Sequence, residues 1–221
     1  DIPVFSNFAL NASEEYKTHA QSFANDYVAL APTSAWDNVR WEQRVKTLLM
    51  AAGRWQSLGK FIADLRVNPK APQTQISGST VHIDTEKWTV PLTDILQGRT
   101  ALGVRQTPQY ARVYSTSWTS EGLLMKGFAY TSYITPTLDD KLAAFLENER
   151  TGHRFNLITH TTLDEENRAN RFANHEGHDY RNSGMTILLG WQTIGAVSVS
   201  SDFNSADAWR IELQRTTGSV R

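Results

Sequence analysis

Residues 109–134 read QYARVYSTSWTSEGLLMKGFAYTSYI, the longest run of aromatic and β-branched residues in the chain. In its first part, side chains should alternate between two faces with the period of a β-strand. One face would carry Arg112, Tyr114, Thr116 and Trp118. Residues 119–122 have turn composition, and bulky residues resume after them. This stretch therefore predicts a β-hairpin, which we expect at the centre of a sheet.

Length and composition exclude several classes of protein. A chain of 221 residues can bury a sizeable core, and we expect one domain over 1–221. Its net charge is −1, so no overall field attracts nucleic acid, and we expect no nucleic-acid partner. No apolar stretch approaches the roughly 18 to 20 residues that cross a bilayer, so no membrane insertion is expected. The absence of cysteine excludes disulfides and thiolate chemistry.

The start of the sequence bears on location. It begins at Asp1 without a methionine, which is consistent with a processed or trimmed chain. Together with the absence of cysteine, this favours an extracytoplasmic location, secreted or periplasmic, in a bacterium.

Two apolar stripes predict an N-terminal helical hairpin over residues 11–58. Asn11 or Ser13 can cap the first helix, and Pro32 ends it. Ser34 opens the second helix. The first stripe consists of Tyr16, Ala20, Phe23, Tyr27 and Leu30. The second consists of Trp41, Val45, Leu48, Leu49, Ala52 and Trp55. Residues 59–67 either continue the helix or form a first strand.

The remaining pattern alternates between strands and polar helix. Strands are predicted over 76–135, and the capping spacing of Thr137 and Asp140 predicts a helix that continues to about Glu149. Residues 147–183 are polar and should form an exposed excursion with a short helix over 163–173. Alternating residues predict three strands near 185–191, 197–203 and 209–213, within a final region over 184–215. Tryptophans should be mostly buried, with Trp36 and Trp118 as the exceptions.

This order of elements predicts an α+β fold. The N-terminal helical hairpin should pack on a curved, mainly antiparallel sheet, with a polar helix-loop insertion over 137–183 before the C-terminal strands.

Four of the six histidines lie within 26 residues and form a candidate metal site. They are His153, His160, His175 and His178. Neutral imidazoles together with carboxylates can bind zinc or a similar divalent metal, which would support metal-dependent hydrolysis. The string NHEGHD over residues 174–179 does not have metallopeptidase spacing, and a polar loop without metal is the alternative interpretation.

A second pattern resembles a known enzyme family. Arg66, the run Ser115-Thr116-Ser117, and Glu147 with Glu149 follow the order of the arginine, S-T-S and E-x-E motifs of ADP-ribosyltransferase toxins. The resemblance implies that the arginine holds a phosphate of NAD and that the serines order the nicotinamide pocket. It also implies that the last glutamate stabilises the oxocarbenium-like ribose, a cation that exists mainly in the transition state.

The chain has neither a nucleophile elbow nor a phosphate-cradling loop. The leading hypothesis is therefore a non-catalytic binding or assembly domain with a protein partner and no cofactor, as a module of a larger complex. NAD-dependent transfer and metal-dependent hydrolysis are the two alternatives, and the sequence leaves the oligomeric state open.

Overall fold

The structure is a computed structural model that describes residues 11–36, 39–67, 73–86, 88–103, 105–173, 178–199 and 208–217. Its internal contacts divide the chain into two compact units, Asp1–Pro108 and Gln109–Arg221. Helices dominate the first unit and a curved antiparallel sheet dominates the second, which confirms the α+β class. The single domain over 1–221 stays a prediction. No helix in the described part of the chain is long and apolar enough to cross a membrane.

The first unit begins with the predicted helices. They are α1 (Glu14–Leu30), α2 (Thr33–Trp36), α3 (Trp41–Ala51) and α4 (Trp55–Val67), followed later by α5 (Leu92–Leu96). Ser13 caps α1 by accepting a hydrogen bond from the Tyr16 N–H at 3.3 Å. Gln21 of α1 donates to the Ala51 carbonyl at the end of α3, which ties the two helices together.

The second predicted helix, which opens at Ser34, is in fact three helices, α2, α3 and α4. Gly53 follows α3 with φ of +63°, a left-handed conformation that suits glycine and ends the helix. The chain then turns into α4, which includes residues 59–67 and so resolves their ambiguity in favour of helix. Trp55 therefore begins a new helix instead of extending the stripe of α3.

Burial in the helices differs from the predicted stripes at several positions. Ala20 and Ala24 are buried on α1, whereas Phe23 is 52% exposed and Leu30 is 82% exposed. The prediction that Trp36 lies at the surface is wrong, because it is only 1% exposed. Its ring packs edge-on against Tyr27 at 5.6 Å between centroids.

A buried arginine connects the helices to a small sheet. The first unit contains β1 (Thr74–Ser77), β2 (Thr80–Ile83) and β3 (Ala101–Leu102), paired antiparallel in that order. Arg44 of α3 donates to the carbonyls of Trp36 at 2.6 Å and Ala101 at 2.7 Å. These carbonyls solvate a guanidinium that water does not reach.

The second unit is built on a six-stranded antiparallel sheet. Its strands are β4 (Gln109–Trp118), β5 (Gly122–Thr131), β6 (Lys141–Asn148), β7 (Arg154–Thr162), β8 (Gly184–Gly190) and β9 (Trp209–Thr216). Their order across the sheet is β4-β5-β8-β7-β6-β9. The predicted hairpin is confirmed as β4 and β5, but its central position is wrong, because β4 lies at an edge.

Two segments that were predicted as helix and as exposed polar loop belong to this sheet. Residues 141–148 form β6 instead of a helix, because Leu142, Ala144 and Leu146 alternate onto one face. Residues 154–162 form β7 within the predicted polar excursion, and β7 lies between β8 and β6 inside the sheet. The exposed excursion is thus limited to the connection between β7 and β8.

That connection contains a shorter helix than predicted. α6 (Arg168–Ala173) starts after Asn167, whose φ of +54° keeps the preceding residues out of the helix. A short 3₁₀ turn over Arg181–Ser183 then leads into β8.

The predicted strand near 197–203 is wrong over its described part. Trp191–Val199 forms a helix, α7, and Phe203 lies outside the described residues. Val197 is buried on α7 and Val199 is exposed, as expected when residues two apart point in different directions on a helix.

The two faces of the sheet differ in character. We call one the core face; its buried apolar residues are Met125, Ala129, Ala144, Leu157, Met185 and Ile187. We call the other the α6 face, because Ala169 of α6 packs there against Phe128 and Tyr130. The α6 face is the one that carries the candidate site.

Candidate functional site

A β-bulge positions the central residue of the site. The register of β4 against β5 shifts between Val113, opposite Gly127, and Ser115, opposite Lys126. Tyr114 is therefore the extra residue in β4. Arg112 pairs with Phe128 before the bulge and Ser115 pairs with Lys126 after it, so both lie on the α6 face.

The bulge corrects the predicted distribution of side chains on β4. Arg112 lies on the α6 face, whereas Thr116 pairs with Met125 and lies on the core face. The prediction that these two residues share a face is wrong, because one inserted residue inverts the alternation beyond it.

α6 is held in place by hydrogen bonds that involve the segments before and after it. The buried Asp164 carboxylate accepts from the Ala169 N–H at 2.6 Å, and the Asp164 N–H donates to the Arg181 carbonyl at 2.6 Å. Asn170 accepts from the Tyr180 N–H, also at 2.6 Å. These bonds fix the direction in which the side chains of α6 project over β4 and β5.

The Asp179 carboxylate stabilises the end of the connection between β7 and β8. Hydrogen bonding from Arg181 lowers its pKa to about 2, partial burial opposes that effect, and a hydrogen bond from Asn170 adds to it. Asp179 is thus ionised at any pH near neutrality, and it links the 3₁₀ turn to α6.

Between β4, β5 and α6 lies a cavity of about 570 Å³, which we call the arginine cavity. Its lining residues are Arg112, Tyr114, Phe128, Glu166, Arg168, Arg171 and Phe172. Three arginines face one glutamate, so the lining is cationic, and three aromatic rings provide apolar surface beside the charges.

The three guanidinium groups differ in how they are held. Arg168 pairs with Glu166 at 2.5 Å and lies over the Tyr114 ring, 4.0 Å from its centroid. Arg171 donates to the backbone carbonyls of Glu166 and Asn167. In the part of the chain that the structure describes, neither Arg171 nor Arg112 has a carboxylate partner.

Tyr114 provides a neutral hydroxyl at this site. Burial raises the pKa of its phenol, the carboxylate of Asp164 raises it further, and the charge of Arg168 acts in the opposite direction. The hydroxyl therefore stays protonated at neutral pH and can donate a hydrogen bond.

A second cavity of about 600 Å³ adjoins the first and shares Tyr114, Glu166 and Arg168 with it. Lys126 and Arg168 are balanced there by Glu165 and Glu166, so its charged lining is neutral overall. The excess of positive charge thus belongs to the arginine cavity.

An exposed tryptophan pair lies at the turn of the hairpin. Trp118, 64% exposed as predicted from the sequence, stacks on Trp191 with 5.1 Å between centroids and 10° between ring planes. The Trp191 indole N–H donates to the Ser120 carbonyl at 3.1 Å, which fixes the first residue of α7 against the turn.

The structure does not bring the described histidines together. His153 and His160 lie seven residues apart along β7, roughly 23 Å in an extended strand. The His178 Nδ1 atom instead lies 3.1 Å from the Thr135 hydroxyl. Among the described residues no three His, Asp or Glu side chains could hold a metal ion. His175 lies outside those residues, so metal binding stays a prediction.

The residues of the transferase resemblance lie on separate elements. Arg66 is in the last turn of α4, a helix of the first unit. Ser115, Thr116 and Ser117 lie on β4, and Glu147 lies on β6, with Glu149 just beyond it. Four strand spacings separate β4 from β6, roughly 19 Å along the sheet.

Glu147 has ion-pair partners on both neighbouring strands. Its carboxylate lies 2.5 Å from Arg154 on β7 and 2.7 Å from Arg210 on β9, each directly opposite it in register. Desolvation raises its pKa, but hydrogen bonds with Glu212 and Arg210 and the charge of Arg154 outweigh this, so the pKa is below its ordinary value. Opposite charges on directly opposed residues of neighbouring strands stabilise a sheet.

Comparison with known proteins adds little. No family model and no curated protein matches the sequence. Among solved structures, the chain is similar to crystal structures of S. aureus TarS residues 217–571 and of S. aureus TarS. The first match has 9% identity, a TM-score of 0.46 and coverage of 99% of this chain and 61% of that one. The second has 10%, 0.40, 99% and 38%, so the chain spans less than two thirds of either protein. These TM-scores support no argument about function.

Sequence reasoning did not find the arginine cavity. Its residues come from the hairpin of β4 and β5 and from residues 166–172, two segments that are distant from each other in the chain, and Arg112 and Arg171 look like ordinary surface arginines. The available signal was the number of arginines near residues 166–172, which read as the polar face of a short helix.

Proposed function

We propose that this chain is a non-catalytic binding domain that holds an anionic group of a partner in the arginine cavity. The observation that carries the proposal is the pair of guanidinium groups, Arg112 and Arg171, which face the cavity without a carboxylate partner among the described residues. A volume of about 570 Å³ is within the range of ligand sites in proteins.

The chemistry of the lining suits a carboxylate or a phosphate. A guanidinium offers parallel N–H donors that match two oxygens of one anion, and Arg171 uses its Nε and one Nη for backbone carbonyls, so the other Nη remains. Tyr114 adds a neutral donor, and the rings of Phe128 and Phe172 provide apolar surface beside these donors.

We take the partner to be a protein, in an extracytoplasmic complex of a bacterium. The net charge of −1 argues against a nucleic acid, whose binding rests on a larger excess of basic residues. The two enzymatic alternatives have weaker support, since Ser115 and Glu147 are on strands four spacings apart and Glu147 is occupied by two arginines.

The test is a titration of the full chain with soluble polyglutamate at low and high salt, followed by isothermal calorimetry. Binding should weaken with salt, and the double variant Arg112→Gln/Arg171→Gln should lose about tenfold or more in affinity. Arg54→Gln, a change of the same charge at an exposed position of the first unit, is the matched control and should bind as the wild type does.

Two further variants test whether the other candidate site residues take part in this binding. Glu149→Gln and His178→Ala should leave polyglutamate affinity unchanged, because neither residue lines the arginine cavity. Equal affinity of the wild type and the double arginine variant would overturn the proposal, as would the absence of any binding.

A further inference from the structure

We infer that the partner contributes an extended acidic segment, which adds to the free edge of β4 as a further strand of the sheet. The inference rests on the proposed function, since the same arginine cavity would receive the acidic side chains. Strand addition supplies backbone hydrogen bonds for affinity, while side-chain sites along the edge supply specificity.

The first observation is the edge itself. β4 has 10 residues, every one of them exposed, and no other described strand pairs with its outer side. Within the described part of the chain, no strand covers the backbone N–H and C=O groups on that side, so a new strand can pair with them. Proteins usually protect a long edge with charged residues, short strands or proline.

The two edges of the sheet differ in that protection. β9, the opposite edge, carries three charged residues, Arg210, Glu212 and Arg215. β4 carries one, Arg112, among aromatic, hydroxyl and small residues. The bulge at Tyr114 interrupts its pairing pattern once and leaves residues 109–113 as a regular segment. The edge of β4 thus has the composition of a strand that receives a partner.

The second observation is the charge along this edge. An incoming strand would place a side chain of the α6 face directly beside Arg112, roughly 5 Å between Cβ atoms. A carboxylate there can enter the arginine cavity and meet Arg171 as well. On the core face, the same strand would cover Val113, which is 41% exposed. An alternating sequence of acidic and small or β-branched residues fits both faces.

Charge also argues against a second copy of the chain as the occupant. Arg112 lies near the middle of β4, so two copies paired antiparallel along this strand would bring their Arg112 side chains within about 10 Å of each other. Both copies would also bring an arginine cavity to the same side of the joined sheet. Like charges at such distances disfavour this pairing, whereas an acidic segment neutralises them.

The experiment uses the full chain and a soluble alternating Glu–Thr peptide of about eight residues, a typical strand length. Affinity is measured by fluorescence anisotropy of the labelled peptide. We expect binding by the Glu–Thr peptide and at least about tenfold weaker binding by a Lys–Thr peptide of the same length. In the double variant Arg112→Glu/Arg171→Glu, whose cavity lining is net negative, this preference should reverse, a result that loss of folding cannot produce.

A second peptide tests the strand itself. N-methylation of alternate amides on one edge of the Glu–Thr peptide removes the donors that strand addition needs and leaves every charge in place. This peptide should bind about tenfold more weakly or worse. A peptide methylated on its opposite edge is the matched control for the change in flexibility. Because a single edge of the peptide faces β4, at least one of the two methylated peptides must retain binding.

The outcomes separate the inference from the function on which it rests. If both methylated peptides bind as tightly as the parent, strand addition is wrong while anion binding in the cavity stands. If no acidic peptide and no polyglutamate binds, the proposed function fails and the inference fails with it. If sedimentation velocity finds dimers of the wild-type chain that the Glu–Thr peptide does not dissociate, a second copy occupies the edge and the inference is wrong.

Discussion

At the scale of single residues, Arg215 and Asp140 form the ion pair most shielded from water among the described residues of the second unit. The Arg215 Nε lies 3.0 Å from the Asp140 carboxylate, and both side chains are buried. Burial lowers the pKa of Arg215, and Asp140 opposes that shift. The guanidinium also donates to the carbonyls of Ala129, Thr137 and Asn182. One side chain thus connects β9 to three other segments of the chain.

Asp140→Asn should destabilise the protein by about 3 kcal/mol, because removal of one partner leaves the other charge buried without compensation. The measurement is urea unfolding followed by tryptophan fluorescence. Asp139→Asn, at the exposed neighbouring position, should change stability by less than about 0.5 kcal/mol. Similar losses from both substitutions would contradict this account of Arg215.

Asp140 also explains one failure of sequence reasoning. The spacing of Thr137 and Asp140 predicted a helix cap, and one hydrogen bond of a capping box does form, since Asp140 accepts from the Thr137 N–H. The Thr137 hydroxyl instead donates to the same carboxylate. No helix follows, because Asp140 is paired with a residue of β9, 75 positions later in the chain. Local spacing identified the turn correctly, but a long-range contact decided what came after it.

At the scale of elements, hydrophobic patterns identified the type of element where a single period fitted them, although they did not always identify its buried face. The hairpin of β4 and β5 and the helix α1 followed from such patterns. β6 did not, because Leu142 and Leu146 satisfy a helical spacing and a strand alternation equally well. α7 was misread for the opposite reason, since Val197, Ser198 and Val199 alternate in hydrophobicity within a helix. Such cases are decided by which strands pair in the sheet, and the sequence does not show which strands pair.

Gly127 sets the separation of β4 from β5 beside the bulge. A Cβ at this position would approach the Arg112 carbonyl oxygen to 2.3 Å, and a backbone atom cannot move aside cheaply. Gly127→Ala should therefore cost about 2 to 3 kcal/mol of stability and weaken polyglutamate binding, because Arg112 is displaced.

Gly190→Ala is the control for this substitution. A Cβ there would come no closer than 3.7 Å to a neighbouring atom, the Glu121 carbonyl oxygen, so we expect a change of less than about 0.5 kcal/mol. Thermal unfolding of the two variants side by side measures the difference. Equal stability would mean that β4 can shift without loss of its pairing.

The arginine cavity could not have been predicted element by element. Arg112 and Arg171 are far apart in the chain, and they meet because α6 returns over a hairpin formed some forty residues earlier. The bulge at Tyr114 has no sequence signal, and it decides which side chains of β4 reach the cavity. Helices, strands and turns were accessible to pattern reasoning, whereas the site depends on their packing.

At the scale of the whole molecule, the division at Pro108 predicts independent folding. Gln109–Arg221 contains the complete six-stranded sheet, its apolar cluster and the arginine cavity. A fragment of residues 109–221 should unfold cooperatively on heating and bind polyglutamate with the affinity of the full chain. Near-ultraviolet circular dichroism during thermal unfolding measures the first property, and calorimetry measures the second.

The corresponding fragment of residues 1–108 is the control for binding. It carries neither Arg112 nor Arg171, so it should not bind polyglutamate. A fragment 109–221 that lacked a cooperative transition would show that the two units fold as one domain, as the sequence predicts for 1–221.

The stacked indoles of Trp118 and Trp191 have a practical consequence. Two chromophores this close and nearly parallel should couple their electronic transitions and leave an optical signature at the hairpin turn. The signature would disappear when α7 separates from the turn, even while the sheet remains intact. The chain thus carries a built-in spectroscopic reporter of local opening, and Trp191→Phe would remove its signal for comparison.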